Sequence, residues 1–139
     1  MRNNLLKSNE IKFLIVHCSD TNSRSVTNAS HIHEMHISFG WDGIGYHKII
    51  GRTGLIENGR PEYWVGAHAY EFNKKSLGVC LIGKDKFTKI QFMSLYKVLK
   101  KWKLQYPNAK IIGHKDTNNT TKTCPNFDVN LWCIDRDLV

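Results

Sequence analysis

Hydrophobic and polar residues follow two different periods along this chain, and the period changes from segment to segment. Short apolar runs bounded by glycine, proline or polar residues predict strands, whereas apolar residues three and four positions apart predict helices. The sequence therefore predicts strands at residues 11–17, 44–50, 55–57, 76–82 and 110–112. It predicts helices at residues 28–38, 88–106 and 127–133.

The longest predicted helix has clear signals at both ends. Thr88 and Gln91 form a capping box, in which Thr88 is the N-cap and the Gln91 side chain reaches back to it. Pro107 marks the end of the helix. Core packing alone explains the apolar and aromatic residues that recur between these ends, namely Phe92, Leu95, Tyr96, Leu99, Trp102 and Tyr106.

Strands and helices alternate along the chain, without internal repeats, low-complexity tracts or linkers. We therefore expect an α/β fold with a single domain, in which a central mixed β-sheet is flanked by helices. The 139 residues, of which 41% are hydrophobic, are enough for one such core. Residues 1–10 are expected to form a flexible tail, and residues 11–139 the domain itself.

Composition and charge limit the classes of function that the chain can have. No apolar run is long enough to cross a membrane. The N-terminus lacks the features of a secretory signal, so synthesis in the cytosol is expected. The four cysteines do not have the spacing of a disulfide scaffold. The net charge of +8 favours anionic surroundings such as nucleic acid, anionic lipid or a phosphate-bearing cell wall.

Two histidines and one cysteine form a candidate metal site. His17 ends the first predicted strand, His114 follows the last one in the same way, and Cys124 lies on the loop after it. Two imidazoles and a thiolate suit one Zn²⁺ ion and leave the fourth tetrahedral position open for water. Such an open site indicates hydrolysis. A single histidine at a strand end is more often structural, so the hypothesis depends on the three residues together.

Other metal sites fit the sequence less well. His33 and His36 are three positions apart, whereas the histidines of a metalloprotease helix are four apart. We interpret them, with His31, as surface or packing residues. No methionine follows Cys124 to serve as the axial ligand of a blue-copper site. The remaining cysteines are interpreted as buried core residues, namely Cys18, Cys80 and Cys133.

A zinc hydrolase also needs a hydrogen-bond donor close to the reacting groups. Lys122 precedes Cys124 by two residues and is therefore tethered to the metal loop. Tyr46 lies on a predicted strand whose glycines, Gly43 and Gly45, allow close approach of substrate or backbone. The alternatives are that Lys122 is a solvated loop residue and that Tyr46 packs in the core.

Several segments, in one order, match a known family. The chain resembles the zinc-dependent N-acetylmuramoyl-L-alanine amidases of the phage lysozyme type and, more distantly, the peptidoglycan recognition proteins. The resemblance extends from about residue 11 to residue 132. The matching segments are Val-His-Cys-Ser at 16–19, Gly-Trp at 40–41, Gly-Ile-Gly-Tyr-His at 43–47, Ile-Ile at 49–50, Gly-Ala-His-Ala at 66–69, Ser-Leu-Gly-Val-Cys-Leu-Ile-Gly at 76–83, Gly-His at 113–114 and Lys-Thr-Cys-Pro-Asn-Phe-Asp at 122–128.

The resemblance implies a role for each candidate residue. His17, His114 and Cys124 bind one zinc ion, and Tyr46 and Lys122 assist the tetrahedral intermediate. The implied reaction cleaves the amide between N-acetylmuramic acid and L-alanine in bacterial peptidoglycan.

The resemblance also implies contacts with the substrate. His68 falls at a position that lines the cleft, with a structural hydrogen bond as the alternative, and Trp64 and His47 are further candidates. The expected partner is peptidoglycan, and the chain is expected to be a monomer. A regulatory protein partner is left open.

The main hypothesis is an endolysin-like amidase of phage or prophage origin that acts on the cell wall after release. The second is a cytosolic amidase that recycles soluble muropeptides. A non-catalytic peptidoglycan-binding module of the same fold is a third hypothesis, although the thiolate and the Tyr/Lys pair that it would lack are all present. A nucleic-acid binder comes last, because the aromatic residues near Lys97 and Lys103 fall on the core face of their helix.

Overall fold

A five-stranded mixed sheet lies at the centre of the protein. The computed structural model describes residues 5–21, 24–117 and 120–138. The strands in chain order are β1 (Phe13–Cys18), β2 (Lys48–Ile50), β3 (Ile56–Asn58), β4 (Ser76–Leu81) and β5 (Lys110–Gly113). Their order across the sheet is β3-β2-β4-β1-β5. Neighbouring strands are parallel except for β2 and β3, which form an antiparallel pair.

Helices cover both faces of this sheet. They are α1 (Ala29–Ser38), α2 (Lys89–Gln105) and α3 (Val129–Asp135). Successive residues of a strand face opposite sides of the sheet. Val79 and its partner Val16 therefore pack in the core with α2 and α3, whereas the next residue, Cys80, packs with Ile32 of α1 on the other side. The predicted α/β fold with one domain and a mixed sheet is therefore confirmed. Within the described ranges, every helix is too short or too polar to cross a membrane.

The ends of α2 agree with the signals in the sequence. The Thr88 hydroxyl accepts a hydrogen bond from the backbone N–H of Gln91, and the Gln91 side chain accepts one from the backbone N–H of Thr88. The helix ends at Gln105, two residues before Pro107. Its apolar face buries Leu95, Leu99 and Trp102 against the sheet. Burying one such side chain stabilises the fold by about 1.5–3 kcal/mol.

The predicted strand at residues 44–50 is shorter in the structure, because β2 begins only at Lys48. The backbone N–H groups of Ile44 and Gly45 donate to the imidazoles of His33 and His36 on α1, at 3.1 and 2.9 Å. The start of this segment is thus attached to a helix rather than paired with a strand. Tyr46 therefore lies on a loop, which corrects its predicted position.

The N-terminal residues that the structure describes are not a free tail. The backbone N–H of Leu6 donates to the carbonyl of Tyr63 at 2.8 Å, and Leu5 forms an isolated β-bridge with Trp64. The Leu6 side chain packs against the main core. Leu5 and Leu6 are thus attached to the rest of the fold, and residues 1–4 lie outside the described part of the chain.

Candidate functional site

A cleft of about 610 Å³ opens at the carboxyl ends of the parallel strands. In β1, Val16 lies opposite Gly113 of β5, and His17 lies opposite Cys80 of β4. His114 follows β5 directly, so the strand order brings His17 and His114 to the same edge of the sheet. This is the edge at which α/β proteins usually bind their ligands.

The three predicted metal ligands meet on this edge. One donor atom from each of His17, His114 and Cys124 lies within 4.8 Å of the other two. The ring centroids of the two histidines are 4.6 Å apart. His17 is 1% exposed and Cys124 8% exposed, whereas His114 is half-buried. The side chains are thus close enough to share one ion.

Main-chain hydrogen bonds hold the loop that carries Cys124. The backbone N–H of Lys115 donates to the carbonyl of Cys124 at 2.8 Å, which ties this loop to the turn that carries His114. The backbone N–H of Cys18 donates to the Cys124 sulfur at 3.0 Å. The carboxylate of Asp116 accepts from the backbone N–H of Gly113 at 2.9 Å and closes the same turn. These hydrogen bonds therefore fix the position of the Cys124 sulfur within the protein itself.

Burial and neighbouring groups shift the pKa of each of the three candidate ligands. Burial, followed by the neighbouring His68 and His114, lowers the pKa of His17 well below its usual value, and burial likewise lowers the pKa of His114. Both imidazoles are therefore neutral, which is the form that binds metals. The adjacent Cys18 thiol, together with burial, raises the pKa of Cys124. A thiolate at this position thus needs a positive partner.

The two candidate proton donors line the same cleft. The Tyr46 ring centroid is 5.1 Å from that of His17. Burial raises the pKa of Tyr46 well above its usual value, so the phenol keeps its proton at neutral pH. Lys122 is exposed, and its positive charge helps to lower the pKa of His17 and His114, which places the ammonium group near both.

Arg60 and the α1 histidines hold the Tyr46 loop, and sequence reasoning did not identify their role here. The Arg60 guanidinium donates to the carbonyls of Ile44 and Val65, at 3.0 and 2.9 Å, and so links the two loops beside the cleft. The backbone N–H of Arg60 donates to the carbonyl of Tyr46 at 2.8 Å. A sequence motif does not indicate that Arg60 links these loops, because the groups that accept its hydrogen bonds are backbone carbonyls.

The predicted substrate contacts lie in different places. His68 is buried, lines the cleft, and has its Nδ1 2.8 Å from Nε2 of His17. His47 and Trp64 are not among the residues that line the cleft. His47 is 1% exposed, and both its ring nitrogens bond to the backbone, to Gly78 N–H at 3.0 Å and to the Trp64 carbonyl at 2.8 Å. The His47 ring is thus held by the backbone, whereas the Trp64 side chain is 39% exposed outside the cleft lining.

Acidification is expected to destabilise the zinc-free protein through His47. Its Nδ1 accepts a hydrogen bond, so protonation breaks that bond, and burial lowers the pKa of His47 to about 4. Nearby Glu62, Arg60 and Lys48 have smaller, partly opposing effects. The unfolded chain titrates near pH 6.5, so this stabilisation is complete above that pH and is lost as the pH falls to about 4. The difference corresponds to about 3 kcal/mol.

Urea unfolding at pH 7, 5.5 and 4, with chelator present, measures this loss of stability. The other buried histidines add to the loss in the wild-type protein, so the matched control is His47→Gln. Its free energy of unfolding should depend less on pH over the same range. An equal loss in both proteins would show that His47 does not carry the effect.

Comparison with known proteins supplies a second line of evidence. The sequence profile of the N-acetylmuramoyl-L-alanine amidase family matches residues 7–127. The endolysin of Klebsiella phage KP32 is 36% identical over 96% of this chain and 92% of its own. The N-acetylmuramoyl-L-alanine amidase LysC from Clostridium intestinale superposes with a TM-score of 0.82, at 30% identity over 95% of this chain and 89% of that one. Bumblebee PGRP-SA superposes with a TM-score of 0.80, at 25% identity over 95% and 84% of the two chains.

Proposed function

Because the chain belongs to the N-acetylmuramoyl-L-alanine amidase family, we propose that His17, His114 and Cys124 hold one zinc ion in the cleft and that Tyr46 and Lys122 act beside it. The protein is an amide hydrolase of the phage endolysin type that acts on peptidoglycan. The observation that carries the site proposal is the approach of three donor atoms to within 4.8 Å of one another. In this proposal residues 11–139 form the catalytic domain.

The donor set fits zinc. Two neutral imidazoles and one cysteine sulfur match the nitrogen and sulfur ligands that zinc prefers. The backbone N–H of Cys18 supports the Cys124 sulfur, as expected for a ligand that carries negative charge. With three protein ligands, a tetrahedral zinc ion would have one position left for water or substrate, which is the pattern of a catalytic rather than a structural site.

Zinc, when bound, supplies a Lewis acid that polarises the scissile carbonyl and makes water nucleophilic at neutral pH. The protein's own residues provide the remaining functions. The Tyr46 phenol keeps its proton and can donate a hydrogen bond to the carbonyl oxygen of the scissile amide as negative charge develops on it. Lys122 is exposed in the same cleft, where its ammonium group adds positive charge and can protonate the leaving amine.

Three observations support a lytic enzyme with all its machinery in one chain. The identity with a phage endolysin extends over nearly the whole length of both proteins. The net charge of +8 attracts the chain to the anionic cell wall. All three ligands and both donors come from the same chain, so a monomer is sufficient for the reaction. We propose that the enzyme acts on the bacterial cell wall after its release, as a phage endolysin does.

Hydrolysis of purified peptidoglycan tests the reaction and its metal dependence. We expect clearing of the wall suspension, with new muramoyl ends and free L-alanine amino groups in equal amounts. Chelation should stop the reaction and added zinc should restore it. If the wall is bound but stays intact in the presence of zinc, the chain is a recognition module and the catalytic proposal fails.

The same assay separates lysis from muropeptide recycling. An endolysin should cleave intact wall at least as fast, per muramoyl amide, as soluble muropeptides of the same stem. A strong preference for the soluble fragments would assign the enzyme to recycling instead.

A further inference from the structure

A chain of hydrogen bonds runs from the candidate ligand His17 into the protein. Nε2 of His17 lies 2.8 Å from Nδ1 of His68. Nε2 of His68 lies 3.4 Å from the hydroxyl oxygen of Ser76, and that hydroxyl lies 2.8 Å from the carbonyl oxygen of Phe72. The two histidines are 51 positions apart in the sequence, so only the fold joins them.

The direction of each hydrogen bond follows from the carbonyl at the far end. The Phe72 carbonyl can only accept, so the single hydroxyl hydrogen of Ser76 is donated to it. The Ser76 oxygen therefore accepts from Nε2–H of His68. A neutral imidazole has one N–H, so Nδ1 of His68 is an acceptor, and Nε2–H of His17 donates to it. Nδ1 of His17 is thereby left as the bare nitrogen.

We propose that Ser76 and His68 are positioning residues that hold His17 in the tautomer whose Nδ1 faces the metal site. The inference rests on the proposed function, since it assumes that His17 is a ligand. It also gives His68 a different role from the predicted substrate contact, because both ring nitrogens of His68 are already engaged within the protein. Ligand histidines commonly have their second nitrogen fixed by such a partner.

The surrounding backbone is shaped to hold the His68 ring. A β-carbon at Gly78 would lie 2.7 Å from both Cγ and Nδ1 of His68, and one at Gly66 would lie 2.5 Å from its Cδ2. Two glycines thus leave the space that the ring fills. The Asn73 side-chain oxygen accepts from the backbone N–H of His68 and of Ala69, both at 2.9 Å, and so holds the loop in place.

Loss of the acceptor on His68 should weaken metal binding without removing a ligand. Without that acceptor, His17 can carry its proton on Nδ1, and the metal must then compete with the wrong tautomer. Removal of such a partner typically costs 10- to 100-fold in metal affinity. His68→Leu removes the acceptor and keeps a side chain of similar bulk. His68→Asn is the matched control, because its carboxamide oxygen occupies the same position as Nδ1 and accepts a hydrogen bond.

The zinc dissociation constant, measured by competition with a chromophoric chelator, tests the proposal. We expect about 10- to 100-fold weaker binding for His68→Leu and less than about threefold for His68→Asn. Nitrogen-15 NMR of the zinc-free proteins gives a second readout. His17 should be protonated on Nε2 in the wild type and in His68→Asn, and should become a mixture of tautomers in His68→Leu.

The possible results distinguish failure of the metal site from failure of the positioning role of His68. If the wild-type protein binds no zinc, the proposed metal site itself is wrong. If the wild type binds zinc and His68→Leu binds it equally well with an unchanged His17 tautomer, the positioning role is wrong. A rise in KM for His68→Leu at unchanged zinc affinity would make His68 a substrate contact instead.

Ser76→Ala provides an independent variant if His68→Leu does not fold. It removes only the hydroxyl that holds the His68 proton on Nε2. His68 can then present Nδ1–H to His17, which forces the His17 proton onto the metal-facing nitrogen. Weaker zinc binding and a changed His17 tautomer are expected, and unchanged values for both would overturn the proposal.

Discussion

Replacement of Cys124 by alanine is expected to reduce peptidoglycan hydrolysis at least about 10³-fold. The sulfur is the only anionic donor of the proposed metal site, and its loss leaves two neutral imidazoles to hold a dication. A missing Lewis acid removes several kcal/mol of transition-state stabilisation, and each 1.36 kcal/mol is about tenfold in rate. The measurements are the release of L-alanine amino groups from purified wall and the zinc content of the purified protein.

Cys133→Ala is the matched control, because Cys133 is also a buried cysteine but belongs to α3 and packs in the main core. It should keep its zinc and nearly all its activity at a temperature where it remains folded. If Cys124→Ala keeps both zinc and hydrolysis, the metal site lies elsewhere. Loss of hydrolysis with full zinc retention would mean that Cys124 acts on the substrate rather than on the metal.

Replacement of Lys122 by methionine is expected to reduce kcat about 10²- to 10³-fold with little change in zinc affinity. The substitution removes the ammonium group and keeps an unbranched side chain on an exposed loop. Removal of one donor that meets the charge developing in a transition state typically has an effect of this size. Steady-state kinetics on a soluble muropeptide, together with a zinc titration, measures both quantities.

Lys115→Met is the control for net charge, because Lys115 is an exposed lysine in the turn that follows β5 and is not among the residues that line the cleft. It should lower binding to intact wall as much as Lys122→Met does, while kcat stays near the wild-type value. An equal fall in kcat for both variants would show that Lys122 contributes only general charge. If kcat is unaffected in Lys122→Met, Lys122 is a solvated loop residue without a role in the reaction.

The secondary structure could be predicted from the sequence wherever one local pattern was sufficient. The capping box at Thr88 and Gln91 and the apolar period of α2 are properties of neighbouring residues, and the structure confirms them. The segment before β2 was predicted wrongly because its backbone N–H groups find acceptors on α1, about ten residues earlier in the chain. The attachment of Leu5 and Leu6 was not visible in the sequence, because their partners, Trp64 and Tyr63, are distant along the chain.

The candidate site, like the secondary structure, could be predicted only in part from the sequence. Two strand-end histidines and a loop cysteine, taken together, were enough to single out His17, His114 and Cys124 as candidates, because their side chains are a ligand set that suits zinc. The predicted cleft residues were harder to judge. His47 looks identical to a cleft residue in the sequence, yet it has both ring nitrogens bonded to the backbone.

The sequence by itself determined the elements, their order along the chain and the residue types available for chemistry, since these depend on local periodicity, capping and side-chain identity. The tertiary structure alone decided that β1 lies between β4 and β5, and this strand order brings together candidate ligands that are about one hundred residues apart. It also decided which nitrogen of His17 is free, because that depends on a hydrogen bond to His68, which is 51 positions away in the sequence. Distances and proton positions are properties of packed neighbours, and no local pattern in a sequence specifies them.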